Sequence, residues 1–585
     1  MWQFIKYVLA TIIGVFLFSL LAIFLVIGFA AVAGSSDDKT TIETNSVLKL
    51  SLDAPIQEVG IENPFAEITG GDGNVLGLID IKEAIANAKL DPNIKGIYLD
   101  AQYPQTGWAS LEEIRDALLD FKKSKKFVYA YGEVMTEKAY YLASVSDKIY
   151  LNPAGGMEWN GLSAEYEFYK GTFDKLEIKP VIFRVGDFKS AVEPFFRDNM
   201  SDASKLQSKQ LVGGIFDHVL GKIAQSRGLS VGQLNRLADS LSIDSAQEAL
   251  QAKLITHAGY YDEVETAMKK ELKLDDDKKV NFVGLEKYLK GEKYVKKGNS
   301  DNRIAIIVGE GAIVSGKGDE GSIGSEKIVK ELQKARKDKK IKAVVLRINS
   351  PGGSALASDV MWREIELTRK VKPVIASMSD VAASGGYYMA MGCDKIVAQP
   401  TTITGSIGVF GLLFNVSNFT KNKLGITFDR VNTNAHADAP TVTRDMTPFE
   451  SNKMQRSTEN VYETFTRKAA AGRKMSQDKL KTIASGRVWS GKDAKTNGLV
   501  DEFGGLDRAI EIAAQAAKLK NGDFSTRYYP AKRNVFEQFM TNFSSETEER
   551  ILASQLGEFA PYFKVVKKIK RMEGVQALMP SVEIK

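Results

Sequence analysis

The feature that most constrains this chain is a repeat within its own sequence. Five pairs of segments correspond in the same order along the two halves: residues 47–52 and 304–308, 94–99 and 341–346, 140–143 and 387–390, 147–149 and 394–396, and 249–259 and 494–504. A repeat of this kind indicates one folding unit that occurs twice. In both halves apolar strand-like runs alternate with helical patterns, which is typical of a mostly parallel sheet covered by helices. We therefore predict the α/β class, with two tandem domains that arose by an internal duplication.

The repeat divides the 585-residue chain into five parts. They are an N-terminal anchor (1–36), a first α/β repeat (45–270), a charged connector (271–300), a second α/β repeat (301–520) and a C-terminal extension (521–585). The connector is rich in Lys, Asp and Glu and ends in Gly-Asn-Ser, which is typical of a solvated linker with room for one helix.

The N-terminal segment has the composition of a membrane-spanning helix. Residues 7–36 carry no charge and are mostly Val, Ile, Leu, Phe and Ala, and this run is longer than the roughly 20 residues that a spanning helix needs. A cleaved signal peptide is the alternative, because residues 31–33 (Ala-Val-Ala) resemble a cleavage site, although its apolar region usually has only about 7–15 residues. We predict a single-pass helix. Lys6 and the N-terminal amine precede it, which favours an internal N-terminus and an external main body.

Composition argues against several classes of site. The net charge of +6 is small for 585 residues and does not indicate nucleic-acid binding. With one cysteine, Cys393, an intrachain disulfide and a Cys-based zinc site are both impossible. The chain has three histidines, so a His-rich metal site is not expected either.

Ser384 stands where an apolar strand passes into a helix. Residues 374–378 have the pattern of a buried strand, and residues 390–393 that of a helix end. A hydroxyl at such a helix start lies near free N–H groups, and the following Gly385 allows a substrate backbone to come close. Residues 350–353 (Ser-Pro-Gly-Gly) follow the preceding strand and would expose backbone amides suited to an oxyanion hole. Taken singly, each motif is also compatible with an ordinary turn or helix start.

The first repeat differs from the second at these positions. Glu137 takes the place of Ser384, and Gln105 and Thr106 take the place of the glycine pair at 352–353. The first repeat therefore has no nucleophile and no evident oxyanion loop at the corresponding point.

A serine nucleophile needs a base, and the residues alone leave more than one candidate. His218 and His257 have the surroundings of structural residues, whereas His436 is a possible base in the second repeat. Lys189 is the other candidate, because nearby apolar side chains could desolvate it and lower its pKa: Phe188, Val192, Phe195 and Phe196. From local sequence alone, an ordinary surface lysine over aromatic rings is the favoured interpretation of this stretch.

Together these motifs resemble a known family. Residues 350–353, 383–388 (Ala-Ser-Gly-Gly-Tyr-Tyr) and 188–195 (Phe-Lys-Ser-Ala-Val-Glu-Pro-Phe) are similar to stretches of the signal peptide peptidase A family (peptidase family S49, ClpP/crotonase-type fold) in its long, duplicated form. The resemblance implies a membrane-anchored serine endopeptidase that degrades cleaved signal peptides and other hydrophobic peptides, without cofactor or metal. It also implies that Ser384 is the nucleophile and that Lys189 is the general base, supplied by the other repeat. Ala435 stands opposite Lys189 in the second repeat.

Further expectations follow from the resemblance. The N–H groups of Gly385 and Gly353 would form the oxyanion hole, with Gly352 as the alternative loop donor. The family implies a homotetramer anchored through its N-terminal helix in the lipid of a bacterial inner membrane, with the catalytic domains on the periplasmic face. The alternative function is a catalytically inactive membrane scaffold or adaptor of the same fold.

The C-terminal extension carries a separate pattern. Apolar and aromatic side chains between residues 538 and 562 are followed by a basic run at residues 564–571. A solvated basic helix and a contact with an anionic membrane surface both remain open interpretations.

Overall fold

The computed structural model contains three sheets of six or more strands. The described residues are 2–34, 40–60, 75–295, 301–319, 321–520, 522–530, 574–581 and 583–584. The aromatic and basic pattern at residues 538–571 lies outside the described residues. So does the end of the predicted connector, residues 296–300.

The N-terminal segment forms one helix, Trp2–Gly34. Its part Trp2–Leu21 is long and apolar enough to cross a membrane, and it is not buried against the rest of the described chain. The prediction of one N-terminal apolar helix ahead of two α/β units is confirmed.

The first repeat is built on a six-stranded, wholly parallel sheet. Its strands, in spatial order, are Asn281–Gly284, Ser46–Ser51, Ile94–Asp100, Phe127–Met135, Lys148–Met157 and His257–Ala258. Its helices are Leu78–Leu90, Trp108–Lys122, Glu137–Ala143, Lys170–Leu176, Glu193–Phe196, Asp202–Arg227, Val231–Asp239, Ala246–Gln251, Tyr261–Leu272 and Leu285–Leu289. Residues 281–284 were assigned to the charged connector, for which no strand was expected, but they form the strand Asn281–Gly284. It belongs to the first sheet because its backbone pairs with Ser46–Ser51.

The second repeat has an eight-stranded sheet. Its main path is Val488–Ser490, Ile403–Gly405, Val374–Ala383, Ile341–Ser350, Arg303–Glu310 and Ser525–Tyr529, with Lys395–Ala398 and Glu502–Phe503 beside it. Its helices are Ser325–Lys337, Ala355–Arg369, Gly385–Ala390, Ser417–Leu424, Pro448–Gly472, Gln477–Ile483, Gly491–Thr496 and Leu506–Ala516. The strand Ser525–Tyr529 extends this sheet beyond the predicted boundary at residue 520.

The apolar strand runs are explained by burial on both faces. In Ile341–Ser350, the side chains of Val344 and Leu346 pack into one cluster, and that of Val345 packs into the cluster on the opposite face. Alternate residues of a strand point to opposite faces, so a sheet covered on both sides needs a continuous apolar run rather than an alternating one. The helix Leu506–Ala516 covers the second of these faces.

A third sheet joins the two repeats and includes the strand Gly352–Ser354, which contains two of the predicted oxyanion glycines. Its strands, in order, are Ser322–Gly324, Ala312–Val314, Gly352–Ser354, Val575–Leu578, Val409–Asn415 and Lys179–Val185. Lys179–Val185 comes from the first repeat and Val409–Asn415 from the second, and they pair antiparallel over seven residue positions. Two short sheets complete the described strands: Ile56–Gln57 with Leu76–Gly77, and Ala164–Glu165 with Glu583–Ile584.

A buried charged cluster also crosses between the repeats. The guanidinium of Arg347, in the second repeat, lies 2.8 Å from Glu58 and 2.7 Å from Glu113 of the first repeat. Burial opposes ionisation of Glu113, but Arg347 and Lys82 hold its pKa down at about 2. Loss of one member would leave an uncompensated buried charge. The cluster therefore fixes how the two repeats meet.

Candidate active site

Ser384 occupies a sharp turn between the strand Val374–Ala383 and the helix Gly385–Ala390. Its φ of 54° and ψ of −108° fall in a region that residues with a side chain rarely adopt. Two backbone hydrogen bonds hold the turn: the Ser384 N–H donates to the Gly405 carbonyl at 2.8 Å, and the Tyr388 N–H donates to the Ser384 carbonyl at 2.8 Å. The turn presents the serine side chain at the end of a parallel strand, as the nucleophile turn of α/β-hydrolases does.

Lys189 of the first repeat reaches this serine. Its Nζ lies 2.9 Å from Ser384 Oγ. The same Nζ donates to the carbonyl of Ser406 at 3.2 Å and lies 3.1 Å from its Oγ. The Ser384 hydroxyl also lies 3.4 Å from the Gly408 carbonyl. The two residues predicted as nucleophile and base, which are far apart in the sequence, are therefore in direct contact.

The environment of Lys189 favours the neutral amine. Its side chain is completely buried, and burial lowers its pKa well below the usual 10.5. The groups that surround its Nζ are hydroxyls and a carbonyl rather than carboxylates. Without an opposite charge to stabilise the cation, desolvation decides the protonation state.

Glycine backbone encloses the stem of Lys189. A β-carbon on Gly486 would lie 2.7 Å from the Lys189 Cβ, and one on Gly408 would lie 3.2 Å from its Cδ. Of the apolar neighbours expected from the sequence, Val192 and Phe195 pack in a cluster between the repeats. Close approach of backbone from the second repeat is a means of burial that the local sequence did not indicate.

The candidate oxyanion glycines come together beside Ser384. A β-carbon on Gly352, whose φ is 98°, would lie 2.7 Å from the Gly385 nitrogen, so these two backbones are in contact. The Gly352 N–H donates to the Ser350 Oγ at 3.1 Å. Gly353 has a φ of 153° and is paired with Ile313 on one side. All three predicted glycines therefore line one short stretch of backbone next to the serine.

The corresponding point of the first repeat is closed. Glu137 begins the helix Glu137–Ala143, and its carboxylate accepts the N–H groups of Asn160 and Gly161 at 2.9 and 2.8 Å. Burial raises the pKa of Glu137, although these two hydrogen bonds oppose the rise. A carboxylate thus fills the place that a serine hydroxyl has in the second repeat.

The histidines are placed elsewhere. His436 lies 3.2 Å from Glu450 and stacks on Phe449, with its side chain 45% exposed. His218 bonds to Glu112, and His257 lies 2.8 Å from the Thr256 hydroxyl. Within the described part of the chain, no group of three or more His, Cys, Asp or Glu side chains could hold a metal ion.

Ser406 is a residue of the site that the sequence analysis missed. Its carbonyl oxygen and its hydroxyl oxygen both accept hydrogen bonds from Lys189 Nζ, and its backbone has a positive φ of 48°. The two halves differ at most positions around it, with Trp159 aligned with Ser406, so the repeat did not single this residue out.

Comparison with known proteins gives a consistent result. Residues 120–275 and 366–520, one segment in each repeat, match the model of peptidase family S49. The chain is 38% identical over 474 residues to Protease 4 of Salmonella typhi, covering 79% of this chain and 75% of that protein. It is 32% identical over 573 residues to Protease 4 of Haemophilus influenzae, covering 94% and 92%. It is 38% identical over 451 residues to the chloroplastic serine protease SPPA of Arabidopsis thaliana, covering 76% and 66%.

We expect Lys189→Met to raise the free energy of unfolding near neutral pH. Above its lowered pKa, Lys189 is neutral in the folded chain, whereas in the unfolded chain it binds a proton up to its usual pKa of 10.5. The unfolded state then binds more protons, so the stability of the wild type rises with pH by at most about 1.4 kcal/mol per pH unit from this group. The difference in free energy of unfolding between Lys189→Met and the wild type should therefore become smaller as the pH approaches 10.5.

Denaturant unfolding of both proteins at several pH values between about 7 and 10 measures this change. Lys340→Met is the matched control, because Lys340 is half exposed and pairs with the exposed Asp301. A Lys189→Met effect that is independent of pH would show that the buried amine is not neutral.

Proposed function

The chain belongs to peptidase family S49 and is a serine protease, and from this premise we propose that Ser384 and Lys189 are its catalytic dyad. The observation that carries the proposal is the 2.9 Å contact between Lys189 Nζ and Ser384 Oγ, with both side chains fully buried. The lowered pKa of Lys189 supports it, because only a neutral amine can accept the serine proton.

The reaction is acyl transfer to serine followed by hydrolysis. Lys189 takes the proton of the Ser384 hydroxyl, and the alkoxide attacks the carbonyl carbon of the peptide bond. The lysine ammonium then gives its proton to the leaving amine, and an acyl ester remains on Ser384. Water, activated by the neutral lysine, hydrolyses this ester and restores the serine. The peptide amine and the new carboxyl group account for all atoms, and the chemistry requires no cofactor.

Backbone donors beside the serine would stabilise the oxyanion. We assign this role to the N–H groups of Gly385 and Gly353; one such donor contributes about 2.7–4 kcal/mol to transition-state stabilisation. Gly352 remains the alternative loop donor, but its N–H already has a partner in the Ser350 hydroxyl. Gly353 is therefore the better candidate.

Ser406 is proposed as a positioning residue for the base. Its carbonyl and hydroxyl lie 3.2 and 3.1 Å from Lys189 Nζ. These acceptors can hold the amine in line with Ser384 and can bind the ammonium that forms when the serine is deprotonated. Because they are uncharged, they orient Lys189 without raising its pKa as a carboxylate would.

We expect Ser384→Ala to abolish peptide hydrolysis and Lys189→Ala to lower its rate at least about a hundredfold, within the usual range for loss of a general base. Lys189→Arg should be equally poor, because arginine stays charged. In the wild type, kcat/KM should rise with pH through the lowered pKa of Lys189, since the protonated form is inactive.

A pH–rate profile on one fluorogenic hydrophobic peptide measures these effects, with circular dichroism of each variant to establish folding. His436→Ala is the control, because its side chain pairs with Glu450 and should leave the profile unchanged. If Lys189→Ala keeps the wild-type profile while His436→Ala loses activity, the dyad assignment is wrong.

We further propose that the protease is anchored in the inner membrane of a bacterium by its N-terminal helix and that its catalytic domains lie on the periplasmic face. The apolar, unburied helix Trp2–Leu21 supports the anchor, and Lys6 ahead of the apolar run favours an internal N-terminus.

Hydrophobic peptides such as cleaved signal peptides are the proposed substrates, since they remain in or near the same membrane. An inactive scaffold would not need the buried Ser384–Lys189 contact, so we do not favour that alternative.

Protease added to intact spheroplasts should digest the main body of the chain if this topology is correct. Both catalytic repeats follow the helix and would be accessible from outside. A cytoplasmic protein serves as the protected control, and an established external protein as the digested one. Full protection of both repeats under conditions that digest the external control would place them on the other side.

We propose a homotetrameric ring, and the repeat supports the head-to-tail contact between copies that a ring requires. Within one chain, Lys179–Val185 pairs with Val409–Asn415. The repeat aligns these strands with residues 425–431 and 162–168 respectively. Among the described residues, 425–431 forms no strand, and its side chains Ile426, Phe428 and Val431 are exposed. Pairing of 425–431 with 162–168 of a second copy would repeat the internal contact between chains, and such head-to-tail contacts can close into rings.

We expect Phe428→Glu combined with Val431→Glu to dissociate the assembly into smaller species. The charges would lie in the proposed contact between copies, where they would be buried without partners. Analytical ultracentrifugation of the detergent-solubilised chain measures the outcome. Val371→Glu, which alters an exposed apolar side chain elsewhere, is the control. An unchanged sedimentation profile for the double variant would exclude this surface as the contact.

A further inference from the structure

The proposed nucleophile and base are inaccessible in this structure. Ser384 and Lys189 both have no exposed surface. An endopeptidase must place an extended peptide against its serine, and in this structure an extended segment of the chain itself lies beside the serine turn. The strand Val575–Leu578, close to the C-terminus, lies in that position.

This strand lies between two other strands of the third sheet, the one that joins the two repeats. On one side it pairs antiparallel with Gly352–Ser354, with Gly353 opposite Ala577. On the other side it pairs antiparallel with Val409–Asn415, with Phe410 opposite Gln576. Addition of a strand to an exposed edge is a general way to bind an extended peptide, and here both edges are used at once.

The register places one carbonyl group at the candidate oxyanion glycines. A β-carbon on Gly352 would lie 2.1 Å from the carbonyl oxygen of Ala577, and one on Gly385 would lie 3.1 Å from the same oxygen. For both glycines, Ala577 contributes the one carbonyl oxygen of the strand Val575–Leu578 that is among the three heavy atoms nearest to such a β-carbon. The peptide bond between Ala577 and Leu578 is therefore the bond in register with the candidate oxyanion glycines that adjoin Ser384.

The side chains of the strand are held as ligand side chains would be. Ala577 is fully buried and belongs to the core cluster of the second repeat, and Gln576 is 2% exposed. Leu578 packs on the other side, against the cluster between the repeats that contains Phe195 and Phe410. One further hydrogen bond, from the Met579 N–H to the Pro351 carbonyl at 2.9 Å, continues the contact past Leu578.

We propose that residues 575–578 are an intramolecular occupant of the substrate groove and compete with substrate peptides for access to Ser384. The inference rests on the proposed function of Ser384 and Lys189. Substrates would bind along the same antiparallel path, with a small side chain before the cleaved bond, because the place of Ala577 is enclosed by the second-repeat core. Hydrolysis of a peptide then requires that the C-terminal strand leave the groove.

Steady-state kinetics of the full-length Ala577→Asp variant test this competition. A buried aspartate would drive the strand out of the groove. The apparent KM for a hydrophobic peptide should then fall at least about tenfold with kcat unchanged, which is the factor expected if the strand occupies the groove in nine of ten molecules. The matched control is Ile584→Asp. This position is in the same C-terminal segment but pairs with Ala164, away from Ser384, and its KM should equal that of the wild type.

A synthetic peptide with the sequence of residues 574–581 provides a second measurement. In initial-rate assays it should inhibit Ala577→Asp competitively and more strongly than it inhibits the wild type, whose groove is already filled. A peptide of the same composition in scrambled order should not inhibit. Equal KM for Ala577→Asp and wild type, or no inhibition by the peptide, would overturn the proposal.

The two proposals fail in different ways. If Ser384→Ala is inactive while Ala577→Asp has the wild-type KM, the dyad stands and the C-terminal strand is not a competitor. If Ser384→Ala keeps full activity in both the wild-type and the Ala577→Asp background, the dyad is wrong, and the inference that rests on it is wrong as well.

Discussion

The antiparallel pairing of Lys179–Val185 with Val409–Asn415 is the interaction on which the site depends. The first strand leads directly into the short segment that carries Lys189, while the second follows the turn that holds Ser406 and Gly408. A slip of one residue in this register would move Lys189 by about 3.3 Å and turn alternate side chains to the opposite face. The 2.9 Å contact with Ser384 would then be lost. Correct strand pairing between the repeats is thus equivalent to correct assembly of the site.

Buried polar contacts hold the same arrangement from the nucleophile side. Asp380, four residues before Ser384 on the same strand, accepts the backbone N–H and hydroxyl of Ser110 at 2.8 and 2.6 Å. Ser110 lies in the first turn of the helix Trp108–Lys122, so a second-repeat carboxylate accepts a hydrogen bond from an N–H group at the start of a first-repeat helix, where N–H groups have no partner within the helix. Such contacts contribute more to geometry than to stability, because much of their favourable energy offsets desolvation. They orient the nucleophile strand relative to the repeat that supplies Lys189.

The repeat made the α/β class and the pair of domains predictable, because buried strands such as Ile341–Ser350 leave long apolar runs in the sequence. Ser384 was predicted from its motif at a helix start, whereas Lys189 was singled out as its base only by the family resemblance, because the residues alone also allowed His436 or an ordinary surface lysine. Elements held mainly by backbone pairing were not predictable. Asn281–Gly284 and Val575–Leu578 are short strands whose membership of a sheet depends on partners distant in the chain. The enclosure of Lys189 by Gly408 and Gly486 likewise has no side-chain pattern that could be read in advance.

The complementary differences also decide what a contact between copies can do. In the proposed ring, residues 425–431 of one copy would approach the first-repeat counterpart of the site in the next. Ala435 has no amine to act as a base there, and Glu137 fills the nucleophile position with a carboxylate bound to two backbone N–H groups. In the proposed ring this contact would therefore contain no second dyad, because the proposed Ser384–Lys189 pair forms within one chain. In both repeats, however, a short strand from the C-terminal segment pairs with the corresponding edge. Glu583–Ile584 pairs with Ala164–Glu165, the first-repeat counterpart of the edge that receives Val575–Leu578. The duplication has thus kept an antiparallel strand addition at this edge in both halves, whereas the proposed dyad occurs only where the two halves of one chain meet.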